Sequence, residues 1–137
     1  MLSIGTLSRR CGVKVPTIRY YEEIGLLPQP ERSSGGQRRY TPAQAERLGF
    51  IRHSRDLGFP LDAIRALLDI ADHPDQSCAE ANALAQAQLS DVRNRIERLQ
   101  RLEAELTRIA SACDGGAVDN CDVLAALGDH GKCTGHH

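Results

Sequence analysis

Apolar residues in this chain recur at helical spacing, in stretches punctuated by glycine and proline. The longest stretch opens at Ser77-Cys78-Ala79-Glu80, a Ser-x-x-Glu capping box, and meets no proline or glycine before Ala112. Leu84, Leu89, Val92, Ile96, Leu99, Leu102, Leu106 and Ile109 recur every three or four positions over most of it. Asp91, Arg95, Glu97, Arg98, Arg101 and Glu105 lie between them. The apolar spacing slips phase near Leu99 and Leu102, so the repeat is not a strict heptad. The glycines of Cys113-Asp114-Gly115-Gly116 permit the positive-φ stop that ends a helix. A helix from Cys78 to Ala112 is roughly 50 Å long at 1.5 Å per residue. A chain of 137 residues is too small to cover such a rod on every side. A partner helix is the natural cover, and the pattern predicts a dimer built on this element.

Shorter patterns precede it. Ser3 to Cys11 predicts a helix with Ser3 as its cap and Ile4 and Leu7 on one face. Gly12 breaks it, and a second helix runs from about Pro16 to Ile24, with proline in its first turn. Two short helices around a glycine turn make a helix-turn-helix candidate. Leu27 to Tyr40 has loop or hairpin composition: Pro28, Pro30 and Ser33-Ser34-Gly35-Gly36, flanked by Arg32, Arg38 and Arg39. Spacing alone leaves open whether this is a wing lying on phosphates or a solvated turn. Thr41-Pro42-Ala43-Gln44 is another capping box, opening a helix to about Leu57 that Gly58 ends. A fourth helix starts at Pro60-Leu61-Asp62, with Ile64, Leu67, Leu68 and Ile70 expected to be buried. After the glycine stop, Cys121 to Leu127 suits one or two further helical turns.

Charge sharpens this picture. Residues 1–70 hold eleven Lys and Arg against seven Asp and Glu, a balance of +4; residues 71–137 hold six against eleven, −5. The N-terminal half is the part suited to an anion. With no apolar run approaching a membrane span and no signal-peptide pattern, a cytoplasmic protein is expected. Five cysteines, an odd number without an export signal, point to reduced thiols and metal chemistry rather than a disulfide framework. Cys78 begins the long helix, while Cys113 and Cys121 stand at and beyond its end, roughly 50 Å away in the same chain. They meet only if two chains pair antiparallel, which would make two equivalent metal sites per dimer. Cys11 has no partner nearby and is expected to be structural.

Several of these residues, in order, resemble the MerR family of transcription regulators. They are Thr17-Ile18-Arg19-Tyr20-Tyr21-Glu22, Gly25-Leu26-Leu27, Arg32-Ser33, Arg38-Arg39-Tyr40, Asp56-Leu57-Gly58-Phe59 and the long helix ending in Cys113-x7-Cys121. The resemblance implies a mainly α fold. A winged helix-turn-helix DNA-binding domain (1–40) would be followed by a two-helix connector (41–76), a long antiparallel coiled-coil dimerisation helix (77–112) and a metal-binding loop and tail (113–137). It implies a homodimer on double-stranded promoter DNA that, once loaded with its effector, distorts the DNA so that RNA polymerase can start. Lys14, Thr17, Arg19 and Tyr20 would belong to the DNA face of the second helix, with Arg32, Arg38 and Tyr40 in the wing. Gln37 stands where relatives commonly carry an aromatic residue. Adjacent helical residues rarely share a face, so Tyr20 is expected outward and Tyr21 inward.

The same resemblance assigns Cys113-x7-Cys121 to the metal-sensing branch. Copper and gold sensors carry Ser where this chain has Cys78, so a thiol there resembles the zinc, cadmium, lead and mercury sensors. Two thiolates suit linear Cu(I), whereas a third permits a soft divalent ion. The expected effector is therefore Zn, Cd, Pb or Hg on Cys78, Cys113 and Cys121. His130, Cys133, His136 and His137 are either further ligands or an idle tail. A Cu(I)-responsive regulator and a cytoplasmic metal buffer or chaperone are the alternatives; the buffer leaves the basic, winged half without a purpose. No paired acid and base, nucleophile or phosphate loop suggests an enzyme.

Overall fold

The computed structural model describes residues 1–112 and 122–128. Helix α1 (Ile4–Cys11) starts where the Ser3 hydroxyl accepts the Thr6 N–H at 3.2 Å. It ends at Gly12, whose φ of 66° reverses the chain without a side-chain clash. Helix α2 (Val15–Glu23) follows, with proline in its first turn. Strands β1 (Glu31–Arg32) and β2 (Arg38–Arg39) pair antiparallel, Glu31 opposite Arg39 and Arg32 opposite Arg38. The hairpin reading of Leu27 to Tyr40 is thus realised. Tyr40 continues the ladder by exchanging backbone hydrogen bonds with Leu2, both at 2.8 Å.

Helix α3 (Pro42–Asp56) opens with the predicted box in full. Gln44 N–H donates to the Thr41 hydroxyl at 3.1 Å, and Thr41 N–H donates to the Gln44 side chain at 2.7 Å. Helix α4 (Leu61–Ala71) buries Ile64 and Leu68, while Leu67 and Ile70 are only half-buried. One core gathers Leu7, Ile18, Tyr21, Leu26, Tyr40, Leu48, Ile51, Ile64 and Leu68. Residues on both sides of position 40 therefore share a single core, with the hairpin pinned at its edge.

The chain divides into two compact units, Met1–Ala85 and Gln86–His137. Helix α5 (Ala79–Ala112) runs uninterrupted through the division and ends where its pattern predicts. Its start differs from the expected capping box: the Ser77 hydroxyl accepts the Ala79 N–H at 3.1 Å. The helix begins at Ala79, so Cys78 stands at the cap position, its carbonyl accepting Asn82 N–H at 2.9 Å, and Ser77 lies one residue outside it. Helix α6 (Asp122–Gly128) agrees with the turns expected near Cys121 to Leu127. Among the described residues no helix is long and apolar enough to cross a membrane.

Candidate nucleic-acid interface

Helix α2 divides by face. Ile18, Tyr21 and Glu22 are buried, one helical stripe at i, i+3 and i+4. Pro16, Arg19, Tyr20 and Glu23 form the opposite, exposed stripe. Tyr20 is 46% exposed and Tyr21 8%, the split expected from their adjacency. Lys14 is exposed just before the first turn, and Thr17 is half-buried at the edge of the open stripe. The side chains of Lys14, Arg19, Arg10 and Arg39 make no hydrogen bond or ion pair among the described residues, which leaves four cations free to meet an anion.

The other basic residues of this half are committed. From α3, Arg52 Nη1 donates to the Gly12 carbonyl and, at 3.3 Å, to that of Cys11, capping the end of α1. From α4, Arg65 donates to the Ile24 carbonyl at 2.6 Å, at the end of α2. Arg47 donates to the Leu26 carbonyl at 3.0 Å and pairs with Asp72 at 3.2 Å. A guanidinium at a helix C-terminus satisfies carbonyls that have no partner inside the helix and complements the dipole. The +4 balance therefore overstates the charge that is free to bind phosphate.

The wing residues split three ways. Arg32 is exposed and folds back on its own turn, donating to the Gly36 carbonyl at 2.9 Å. Arg38 is half-buried, its Nε 3.4 Å from a carboxylate oxygen of Glu22. Tyr40 departs from its expected place on the wing surface: it is 1% exposed, in the core. Its hydroxyl donates to Glu22 Oε2 at 2.5 Å. Burial first, and then this bond to a carboxylate, push the Tyr40 phenol well above the ordinary tyrosine range. With its ring in the core and its hydroxyl on Glu22, Tyr40 has the setting of a structural tyrosine. Glu22, which joins the wing to α2, is the residue that pattern reading missed. Its signal was positional: it stands four residues after Ile18, on the apolar stripe.

Of the expected metal ligands, only Cys78 lies among the described residues. Its thiol is exposed, unlike the half-buried Cys11, whose thiol is raised by burial and faces the Ala45 carbonyl at 3.6 Å. Free cysteines are ordinarily buried as small hydrophobes, so exposure at the head of a helix suits Cys78 to a ligand role. Cys11 has the structural setting expected of it. No group of three His, Cys, Asp or Glu side chains gathers among the described residues. Cys113, Cys121, His130, Cys133, His136 and His137 lie outside them. A thiolate donor set of this kind suits a soft ion.

Comparison with known proteins agrees with this layout. The family model described as MerR HTH family regulatory protein matches residues 2–70, and that described as MerR, DNA binding matches residues 45–109. The HTH-type transcriptional regulator ZntR of Escherichia coli K12 is 41% identical over 130 residues, 93% of this chain and 92% of that protein. The mercuric resistance operon regulatory protein of Bacillus cereus is 35% identical over 125 residues, covering 90% and 95%. Among solved structures, the transcription regulator PbrR691 of Ralstonia metallidurans CH34, in complex with lead(II), superposes with a TM-score of 0.79. It is 40% identical, with 93% of this chain and 99% of that chain covered. A family match across half the sequence, together with relatives aligned over nearly its whole length, makes this chain a member of the MerR helix-turn-helix family of regulatory proteins.

Proposed function

We propose that the chain is a metal-responsive transcription regulator that binds double-stranded promoter DNA as a homodimer. Lys14, Thr17, Arg19 and Tyr20 on or beside α2 face the DNA, with Arg32 and Arg38 on the wing. The effector is a soft divalent ion (zinc, cadmium, lead or mercury) held by Cys78 of one chain with Cys113 and Cys121 of its partner. The tail residues His130, Cys133, His136 and His137 are candidates for any remaining coordination position. Metal loading distorts the promoter so that RNA polymerase can start, and the metal-free dimer holds the promoter silent. The protein works in the cytoplasm.

One observation carries the metal class. The thiol of Cys78 is exposed at the head of α5, in a chain 40% identical to a regulator solved with lead(II). A third thiolate turns a two-coordinate pair into a site that a divalent ion accepts. The test is metal-dependent transcription in wild type, Cys78→Ser, Cys113→Ser and Cys121→Ser. Cys78→Ser is expected to lose the zinc, cadmium and lead responses while metal-free DNA binding persists. Each loop variant is expected to lose every metal response. Full zinc or cadmium induction in Cys78→Ser would refute the three-thiolate site, and a response restricted to Cu(I) in wild type would replace the divalent class.

A further inference from the structure

Glu22 is 5% exposed, a charged side chain almost wholly removed from water. Such burial is costly unless the charge is paired. Both carboxylate oxygens are engaged, and by the same short segment. Tyr40 donates its hydroxyl to Oε2 at 2.5 Å, and Arg38 Nε stands 3.4 Å from Oε1. Tyr40 is also tied to Leu2 through its backbone, and the Thr41 cap follows at once. The base of the wing is therefore fixed from several sides.

Arg38 is held differently. Its Nε is buried and makes no hydrogen bond, so its tie to Glu22 is one of charge and proximity rather than a formed bond. The side chain nevertheless keeps 25% of its surface in solvent, and that surface belongs to atoms other than Nε. The Nε edge of the guanidinium faces the carboxylate while part of the side chain remains accessible. The hairpin itself has strands of only two residues, too short to fix its own position.

We infer that Glu22 is a positioning residue for DNA recognition. Its buried carboxylate aims the Arg38 guanidinium and fixes the wing relative to α2, so that the two elements meet DNA as one rigid piece. An arginine already held in place loses less rotamer freedom on contact than a free one. This inference rests on the reading of α2 and the wing as the DNA face.

The test is a double-mutant cycle with Glu22→Gln and Arg38→Ala. The probe is a DNA duplex selected by the wild-type protein from a random-sequence library, and binding is measured across salt concentrations with hydroxyl-radical footprints. Glu22→Gln keeps the shape and an acceptor for Tyr40 but loses the charge that aims Arg38. It is expected to weaken binding roughly tenfold, within the range that contacting pairs show. The double variant should be no weaker than Arg38→Ala alone. Arg38→Ala should flatten the salt dependence by about one phosphate's worth. Protection by the wing should fade in Glu22→Gln while that of α2 stays. Arg19→Ala, on the other element, should add independently. Unchanged binding in Glu22→Gln, or losses that simply multiply with those of Arg38→Ala, would overturn the positioning role. Should Glu22→Gln fail to fold, Glu22→Asp keeps the charge but withdraws the carboxylate by one methylene from Arg38 and Tyr40. A wild-type wing footprint in that variant would overturn the inference equally. If Arg19→Ala and Arg38→Ala both bind normally, the DNA face itself is misplaced and the inference falls with it. If they weaken binding without coupling to Glu22, only the positioning role is lost.

Discussion

Leu7, Ile18, Leu48, Ile51 and Ile64 lose all of their exposed surface within residues 1–85, whereas beyond Ala85 the stripe of Leu89, Val92, Ile96, Leu99 and Leu106 stays between 36% and 63% exposed. The two regions are similarly apolar in pattern and opposite in outcome. Four helices and a hairpin converge on the first core, so each apolar face finds another in the same chain. In the second region α5 presents one long row, and among its described residues only Ile109 is buried. A long apolar row left open marks an interface. The contrast separates a part that folds on its own contacts from one whose stability depends on association.

The largest effect should come from charging the open row. Ile96→Asp with Leu99→Asp would bury four carboxylates in a dimer, and is expected to weaken association by on the order of 1000-fold or more. Sedimentation should then report a single 15.0 kDa chain, with the helices of the first unit retained by circular dichroism. A persistent dimer at micromolar concentration would break the comparison.

A smaller change should fall on the first unit alone. Gly12 sits at φ 66°, and a Cβ there would stand 2.5 Å from Arg52 Nη1. Gly12→Ala forces an unfavourable backbone region and displaces the guanidinium from the end of α1, at an expected cost of about 1–3 kcal/mol. The urea midpoint of the N-terminal unit should drop while the dimer mass stays constant. An unchanged midpoint would mean that Arg52 is not needed to hold the turn.

The smallest effect is a pH dependence. The Tyr40 phenol is raised in the folded chain, so its neutral form is favoured there. Its contribution is fully present below the unfolded value of about 10 and is lost as pH rises from there toward the folded value. Denaturation at pH 8, 10 and 11 should show the first unit weakening only in the alkaline range. Tyr40→Phe should flatten that part of the curve; an identical alkaline slope in the variant would assign it to other groups.

Much of this layout was legible because the signals were local. Ser3, Gly12, the Thr41–Gln44 box and Gly58 mark helix ends by chemistry acting within a few residues. The long row of α5 declared itself by spacing and the absence of breakers. What escaped depends on distant partners. Nothing adjacent to Tyr40 shows that its hydroxyl meets a carboxylate eighteen residues earlier, so an aromatic beside wing arginines reads as surface. Arg47, Arg52 and Arg65 look like free cations until the carbonyls of Leu26, Gly12 and Ile24 are brought to them. The Ser77 box lies one residue outside the helix, which starts at Ala79, and the Ser77 hydroxyl takes the Ala79 N–H instead of that of Glu80. At the candidate site, Arg19 and Tyr20 were placed by the family resemblance and the outward turn of Tyr20 by the helical period, whereas the pairing of Arg38 with Glu22 was not legible.

Those three arginines also bear on how the chain could be rebuilt. A chimera that exchanged residues 1–40 for those of a relative, with the seam at Thr41, would look natural because it keeps the helix-turn-helix and hairpin whole. It would nevertheless separate the ends of α1 and α2 from the guanidinium groups of Arg52 and Arg65, which belong to the next two helices. The exposed carbonyls would then depend on whatever the recipient offers at those two positions. A seam beyond Asp72 carries each clamp along with the helix end it holds, including the Arg47–Asp72 pair. The transferable DNA-reading cassette is thus about 70 residues rather than 40, a length set by where its helix ends are capped.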